Sequence, residues 1–267
     1  MHTKQRILVK DNIMTDFYDI PLTEFDPCEK AVLQPDHEKI NVRFPDIAVF
    51  AFVGDAVNEY ASSHGMKKIS EFVSIVKKYP VYLGRSGKND FILCEAPVGA
   101  PAAAQIMDWL IGYGVRKVIA AGSCGVLADI PENTFLLPVK ALRDEGTSFH
   151  YMEPSRFVDI DEKMRNIIKS VFESRKLHYI ECTTWTTDGF FRETEKKVRS
   201  RLAEGCICVE MECSALAACA KFRNVPFAQI LFTADTLADT SEYDERNWGT
   251  DSLLPALSLC ADVVKAM

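Results

Sequence analysis

The sequence of 267 residues lacks the features that point to a membrane-bound or secreted protein. None of its apolar runs approaches the ~20 residues that a membrane-spanning helix needs. Its first residues are polar and contain no apolar core of a signal peptide. We therefore expect a cytoplasmic protein with no membrane partner.

An excess of basic residues is also missing. The chain has 31 Lys and Arg against 38 Asp and Glu, a net charge of −7. This balance argues against a nucleic-acid partner, because phosphate backbones are normally met by a basic surface. The 48% hydrophobic and 26% charged content is that of an ordinary globular protein, long enough for one large α/β domain.

The nine cysteines do not form a motif for metal binding or disulfide bonding. No C-x-x-C pair occurs, and the five histidines are scattered. The pattern favours buried or free thiols over a zinc site, and we predict no metal. Cys124 stands in a Gly-Ser-Cys-Gly segment, but no histidine is nearby in the sequence to support a nucleophilic thiol.

The chain contains no internal repeat and no low-complexity linker. Residues 1–44 are polar and interrupted by prolines, which predicts an N-terminal arm or edge element. Residues 45–267 alternate apolar strand-like runs with helical segments. We predict a single α/β domain in that region, with a mixed, mainly parallel sheet flanked by helices.

The predicted elements follow from apolar runs and from Gly and Pro punctuation. A hairpin is expected with its turn at residues 87–90. The other predicted strands are residues 47–54, 115–126, 134–139, 178–185, 206–211 and 226–235. The predicted helices are residues 56–65, 101–114, 161–174, 192–204, 212–224 and 252–267.

The segment "VIAAGSCGVL" is an apolar strand running into residues 122–125, which we predict to be a tight turn. Such a turn can direct backbone N–H groups at an anion. Its neighbours Ala120 and Ala121 supply no basic side chain. The residues alone do not decide between two alternatives, a phosphate site that lacks its cation and a plain turn.

Two carboxylates flank Met211 in "VEMECSAL", at a predicted strand–helix junction. Glu210 and Glu212 are costly to bury unless something binds them. Vicinal hydroxyls of a sugar suit a carboxylate, which accepts two hydrogen bonds. A helix N-terminus that favours glutamate through its dipole explains the pattern equally well.

Asp235 follows the apolar run "AQILFTA". A carboxyl group at an apolar strand end can keep its proton and act as a general acid. A capping or turn aspartate is the commoner outcome for such a position.

The loop "TTDGFFRET" carries aromatic residues behind a predicted strand. Phe190 and Phe191 suit stacking on a heterocycle or packing into the core. Arg192 suits an anion or a base carbonyl, or an ion pair with Glu193 or Glu195.

Four motifs in this order resemble the nucleoside phosphorylase family from residue 47 to the C-terminus. They are "FVGD", "APVGAPAAAQIMDWLIGYGVRKVIAAGSCGVL", "VEMECSAL" and "NVPFAQILFTADTLAD". Glu212 and Asp235 are 23 residues apart, as are the ribose-binding glutamate and the catalytic aspartate of that family.

The resemblance implies that Asp235 protonates the departing base and that Glu212 holds the 2′- and 3′-hydroxyls of ribose. It implies further ribose contacts at Met211 and Glu210, base contacts at Phe190, Thr187, Asp188 and Arg192, and phosphate contacts at Gly54, Ser123 and Gly122. It also implies no cofactor, inorganic phosphate as co-substrate, and a homo-oligomer of two to six subunits.

The chain departs from the family pattern where phosphate should bind. Asn58 and Ala120 stand where related phosphorylases carry arginines. Phosphorolysis of a nucleoside, purine rather than pyrimidine, is the first interpretation. A hydrolytic nucleosidase, with Asp55 or Glu59 near the attacking water, and a non-catalytic nucleoside-binding protein are the alternatives.

Overall fold

The computed structural model describes residues 20–267 and, before them, the backbone of two short strands that pair antiparallel. The strands are β1 (Gln5–Leu8), β2 (Met14–Phe17), β3 (Ile47–Phe52), β4 (Lys67–Val73), β5 (Lys78–Ser86), β6 (Asn89–Glu95), β7 (Lys117–Val126), β8 (Phe135–Asp144), β9 (Phe157–Asp159), β10 (Tyr179–Thr187), β11 (Cys206–Glu210) and β12 (Phe227–Thr236). The helices are α1 (Ala56–Ser63), α2 (Ala100–Gly112), α3 (Glu162–Ser174), α4 (Glu195–Ala203), α5 (Cys213–Phe222) and α6 (Leu253–Ala266). Each of the six helices matches a predicted one. Strands β1, β2, β4 and β9 were not predicted.

The main sheet is mixed, and part of it closes on itself. Its strand order is β11-β10-β8-β12-β7-β3-β6-β5-β4, with β9 beside β8. β11 also pairs antiparallel with β7, where Val209 faces Gly125. Strands β7, β12, β8, β10 and β11 therefore form a ring from which β3, β6, β5 and β4 extend. The predicted single-domain α/β fold with a mixed sheet flanked by helices is confirmed.

Each strand of this ring contributes one buried side chain to a separate apolar cluster. The cluster consists of Cys124, Leu136, Cys182, Cys208 and Leu231. The larger core lies between the sheet and the helices and includes the apolar runs of β3 and β7. Close packing on both faces explains why these runs are continuously hydrophobic.

The predicted turn at residues 122–125 is wrong, because β7 continues through it as an extended strand. Neither glycine of the segment has a positive φ. Both positions require glycine because atoms of other residues lie close to them. A β-carbon on Gly122 would lie 2.9 Å from Cβ of Phe52, and one on Gly125 would lie 3.1 Å from Oδ1 of Asp235. Small residues here let a neighbouring strand and a carboxyl group approach the backbone.

The described part of the predicted arm, residues 20–44, packs on helices of the main body. Phe44 is buried, and its ring centroid lies 5.3 Å from that of Trp109 on α2. The indole nitrogen of Trp109 donates to Glu38 at 3.3 Å, and Phe25 contacts Phe222 edge-on. A domain boundary at residue 45 stays a prediction.

Within the described residues, none of the helices combines the length and the apolar character that a membrane crossing requires.

Candidate functional site

The last residues of β7 are the point at which several strands of the sheet meet. Phe52 of β3 pairs with Gly122, so Gly54, just after β3, lies close to Ser123 within β7. On the other side, Val209 of β11 pairs antiparallel with Gly125. The closed ring thus brings the ends of β3 and β11 to the same stretch of β7.

Two of the three predicted phosphate contacts are accessible there. Gly54 is exposed and has a φ of +55°, a conformation that favours glycine. Ser123 is exposed, whereas Gly122 is buried against Phe52. The antiparallel register of β11 carries half-buried Met211 towards Ser123.

Glu212, just before helix α5, is a buried carboxyl group with one anchoring contact. Its side chain is 5% exposed, and its Oε1 accepts a hydrogen bond from the backbone N–H of Gly99 at 2.5 Å. Burial, together with the charge of Glu210, raises the pKa of Glu212 to about 8. The contact fixes the loop between β6 and α2 against this carboxyl group.

Glu210 has its hydrogen-bonding capacity filled by its own chain. One oxygen accepts from the hydroxyls of Thr184 at 3.2 Å and Thr186 at 2.6 Å. The other accepts from the backbone N–H groups of Glu212 at 2.8 Å and Cys213 at 2.6 Å. Burial raises the pKa of Glu210 to about 7. These contacts make Glu210 a group that holds the first turn of α5.

Asp235 is a buried carboxyl group lying over Gly125. It is 6% exposed, and burial raises its pKa. The hydroxyl of Tyr243 donates to its Oδ2 at 3.2 Å. Burial and the charge of Asp235 raise the pKa of nearby Glu193 to about 7. This environment favours the protonated form of the Asp235 carboxyl group more than solvent does.

The segment after β10 divides into buried and exposed residues. Thr187 is buried, and its hydroxyl accepts from the N–H of Gly189 at 3.2 Å. Asp188 is exposed and accepts from the N–H of Gly146 at 2.8 Å. Both side chains are therefore occupied in shaping the loop.

The aromatic pair of this loop lies at the surface. Phe190 is 41% exposed and Phe191 is 92% exposed, and their rings meet edge-to-face at 5.1 Å. Arg192 is exposed next to them. A cavity of about 300 Å³ is lined by both rings and by Glu193, Leu237 and Tyr243, among others. It adjoins Asp235 through the contact with Tyr243.

The start of α1, next to Gly54, contains no arginine. Asn58 accepts a hydrogen bond from the hydroxyl of Tyr82 at 2.8 Å, and Ala120 is fully buried in β7. Lys77 lies within electrostatic reach of Asp55, and its ammonium is 2.5 Å from Oε1 of Glu95.

The nine cysteines are unpaired, and only Cys28 is exposed. Burial raises the pKa of Cys124 well above its usual value, which disfavours a thiolate nucleophile. No group of three or more His, Cys, Asp or Glu side chains in the described part of the chain is arranged to hold a metal ion.

Comparison with known proteins decides the family. The model of the phosphorylase superfamily matches residues 46–260. The chain belongs to the phosphorylase superfamily. A protein of Acanthamoeba polyphaga mimivirus is 26% identical over 173 residues, a match that spans 64% of this chain and 66%, just under two thirds, of that protein.

Solved structures of the superfamily share the fold at lower identity. AMP nucleosidase from Bacteroides thetaiotaomicron is 21% identical, with a TM-score of 0.68 over 83% of this chain and 88% of that one. Uridine phosphorylase from Vibrio fischeri is 19% identical, with a TM-score of 0.71 over 84% and 93%. The fold therefore occurs in a protein named as a nucleosidase and in a protein named as a phosphorylase.

Several residues around the candidate site had no recognisable sequence pattern. Gly99, Thr186 and Tyr243 contact predicted site residues that lie 113, 24 and 8 positions away in the chain. Lys77 and Glu95 form their ion pair across 18 residues. The phosphate, ribose and base roles of the predicted residues stay predictions.

Proposed function

We propose that this protein cleaves the N-glycosidic bond of a purine nucleoside. The observation that carries the proposal is the pair of buried carboxyl groups with raised pKa values, Asp235 over Gly125 and Glu212 against Gly99. Asp235 donates a proton to N7 of the base, and Glu212 accepts hydrogen bonds from the 2′- and 3′-hydroxyls. Membership of the superfamily supports an enzyme that acts on nucleosides.

The chemistry is the stabilisation of separated charge. As the bond from C1′ to the base breaks, the sugar becomes oxocarbenium-like and the base takes the electron pair. Protonation by Asp235 neutralises the base, and the carboxyl group of Glu212 stabilises the sugar from its hydroxyl side. Phe190 stacks on the base, and Met211 packs against the ribose. Glu210 acts indirectly, by holding the turn that carries Glu212.

Water is the attacking group that the charges favour, so we propose hydrolysis. Losing two arginines removes hydrogen bonds worth roughly 1.5–3 kcal/mol each to a charged partner. The ammonium of Lys77 is paired with Glu95, and exposed Asp55 lies nearby. A phosphate dianion would enter a region that carries more acidic than basic groups.

Phosphorolysis, the reaction that the sequence favours, is the second candidate. Gly54 and Ser123 support it, because an exposed left-handed glycine and an exposed hydroxyl can both contact an anion. Exposed Arg192 supports a pyrimidine base in place of a purine. A homo-oligomer in the cytoplasm that takes part in nucleoside salvage stays a prediction.

The test is incubation of the full chain with a panel of purine and pyrimidine nucleosides, with and without inorganic phosphate. We expect release of purine bases and free ribose without phosphate. Strict dependence on phosphate, with ribose 1-phosphate as product, would support the second candidate. Binding of nucleosides without cleavage of any of them would contradict an enzymatic role.

We expect Gly125→Ala to slow cleavage about 5- to 10-fold. The added methyl group meets Asp235 Oδ1 and Leu237 Cδ1 at 3.1 Å, so the acid must move by a few tenths of an ångström. A displacement of about 1 Å can cost about 10²-fold in rate. Single-turnover rates measure the effect, and Gly146→Ala is the control because its nearest contact is 3.7 Å. An equal rate for both variants would contradict the placement of Asp235.

A further inference from the structure

The ion pair of Lys77 and Glu95 lies close to both halves of the proposed site. Glu95 is the last residue of β6, and its partner on β3 is Ala51, three residues before Gly54. Four residues after Glu95, Gly99 donates its N–H to Glu212. An extended chain of four residues spans at most about 14 Å, so Glu95 is tethered near the ribose-binding carboxyl group.

The side chain of Glu95 points to the start of α1. Tyr82 faces Leu93 in the antiparallel ladder of β5 and β6, and Glu95 shares a face with Leu93 because alternate residues of a strand do. The hydroxyl of Tyr82 reaches Asn58 on α1. Glu95 therefore lies on the face of the sheet that is next to Asn58, the position where phosphorylases of this family have an arginine.

Glu95 is a buried carboxylate with one oxygen free of protein contacts. The residue is 8% exposed, and its Oε1 accepts from the ammonium of Lys77 at 2.5 Å. No hydrogen bond to Oε2 is recorded from any residue in the described part of the chain, and this oxygen is not among the fully buried atoms that lack a partner. Lys77 therefore orients the carboxylate and leaves one oxygen available to a solvent molecule.

We propose that Glu95 is the general base that activates the attacking water, and that Lys77 is its positioning residue. This rests on the proposed nucleoside cleavage. Oε2 of Glu95 accepts one proton of the water while the water oxygen bonds to C1′. The bond from C1′ to N9 breaks with its electron pair going to the base, and Asp235 supplies the proton that the base takes up. Ribose and free base leave, Glu95 gives its proton to solvent, and Asp235 takes up a proton from solvent.

The test compares Glu95→Gln with wild type on a purine nucleoside in buffer free of phosphate. General base catalysis typically contributes at least about 10²-fold, and we expect kcat to fall by about that factor with little change in KM. Glu173→Gln is the matched control, because Glu173 is an exposed carboxylate on helix α3 and has no role in the proposed site. Its kcat should stay within about twofold of wild type.

Sodium azide separates a missing base from a damaged site. Azide attacks C1′ without losing a proton, so it should restore base release in Glu95→Gln, with ribosyl azide as product. It should not restore base release in Asp235→Asn, which lacks the acid. Rescue also requires a folded site, so it distinguishes loss of the base from misfolding.

The outcomes separate this inference from the function on which it rests. An undiminished kcat in Glu95→Gln, or a loss that azide does not restore, would overturn the role of Glu95. Release of ribose 1-phosphate only when phosphate is present would overturn it too, while leaving nucleoside cleavage intact. Failure of wild type to cleave any nucleoside would overturn the proposed function itself.

Discussion

Asp235→Asn should lower kcat for a purine nucleoside by about 10³-fold and leave KM nearly unchanged. A positioned general acid contributes about 10²- to 10⁴-fold, and an asparagine amide cannot give up a proton to the base. The variant keeps the size of the side chain and an oxygen that accepts from Tyr243. Steady-state kinetics with Asp251→Asn, at an exposed aspartate, as the control measure the loss.

The rate of the same reaction should fall as the pH rises. Burial raises the pKa of Asp235, so the protonated, active form persists to higher pH than an exposed aspartate would allow. Activity should be present below that pKa and fall as the pH rises through it. Asp235→Asn should lack this limb of the profile.

A substrate with a stable anionic leaving group gives a stricter check on Asp235. A nitrophenyl riboside needs no protonation as its leaving group departs, so Asp235→Asn should cleave it at a rate close to wild type. A comparable loss on this substrate and on purine nucleosides would show that Asp235 acts on the fold or on sugar binding instead of on the base.

The helices and the long strands were predictable because their patterns are local. Asp161, for example, is the first residue of a predicted helix, and it caps α3 by accepting the N–H of Met164 at 2.8 Å. β4 was missed because its side chains are mostly exposed or half-buried and it lacks an apolar run. The ring closure was missed because the antiparallel contact of Val209 with Gly125 joins strands 84 residues apart, and no local pattern encodes it.

The same limit applies to the candidate site. Glu212 and Asp235 stand at ends of apolar segments, where an acidic side chain is conspicuous. Glu95 also ends an apolar run, but its proposed role depends on the ion pair with Lys77 of the preceding hairpin, which the sequence does not reveal. The sequence predicts a turn at Gly122 and Gly125, because it cannot distinguish a positive φ from a close approach by the side chain of Phe52 or Asp235.

Glu212→Gln should lower kcat/KM for a nucleoside by about 30- to 1000-fold. Each hydrogen bond to a charged group is worth roughly 1.5–3 kcal/mol, and the amide can accept from one hydroxyl but not from two while it also faces Gly99. The variant loses one of these bonds and weakens the other by removing the charge, about 2–4 kcal/mol together, and a rate factor of ten corresponds to about 1.36 kcal/mol. A 2′,3′-dideoxynucleoside is the control ligand, because wild type and variant should bind it equally well.

Calorimetric titration from pH 6 to 9 tests the ionisation of Glu212. Its pKa is about 8 in the free protein, and two hydroxyl donors favour the carboxylate over the acid, so binding should lower that pKa and release a proton. Nucleoside affinity should therefore rise with pH up to about 8 and level off above it. Glu212→Gln should remove the slope, because an amide does not titrate. A slope that persists in the variant would assign the proton to another group, and equal losses on the ribonucleoside and the dideoxynucleoside would remove Glu212 from sugar recognition.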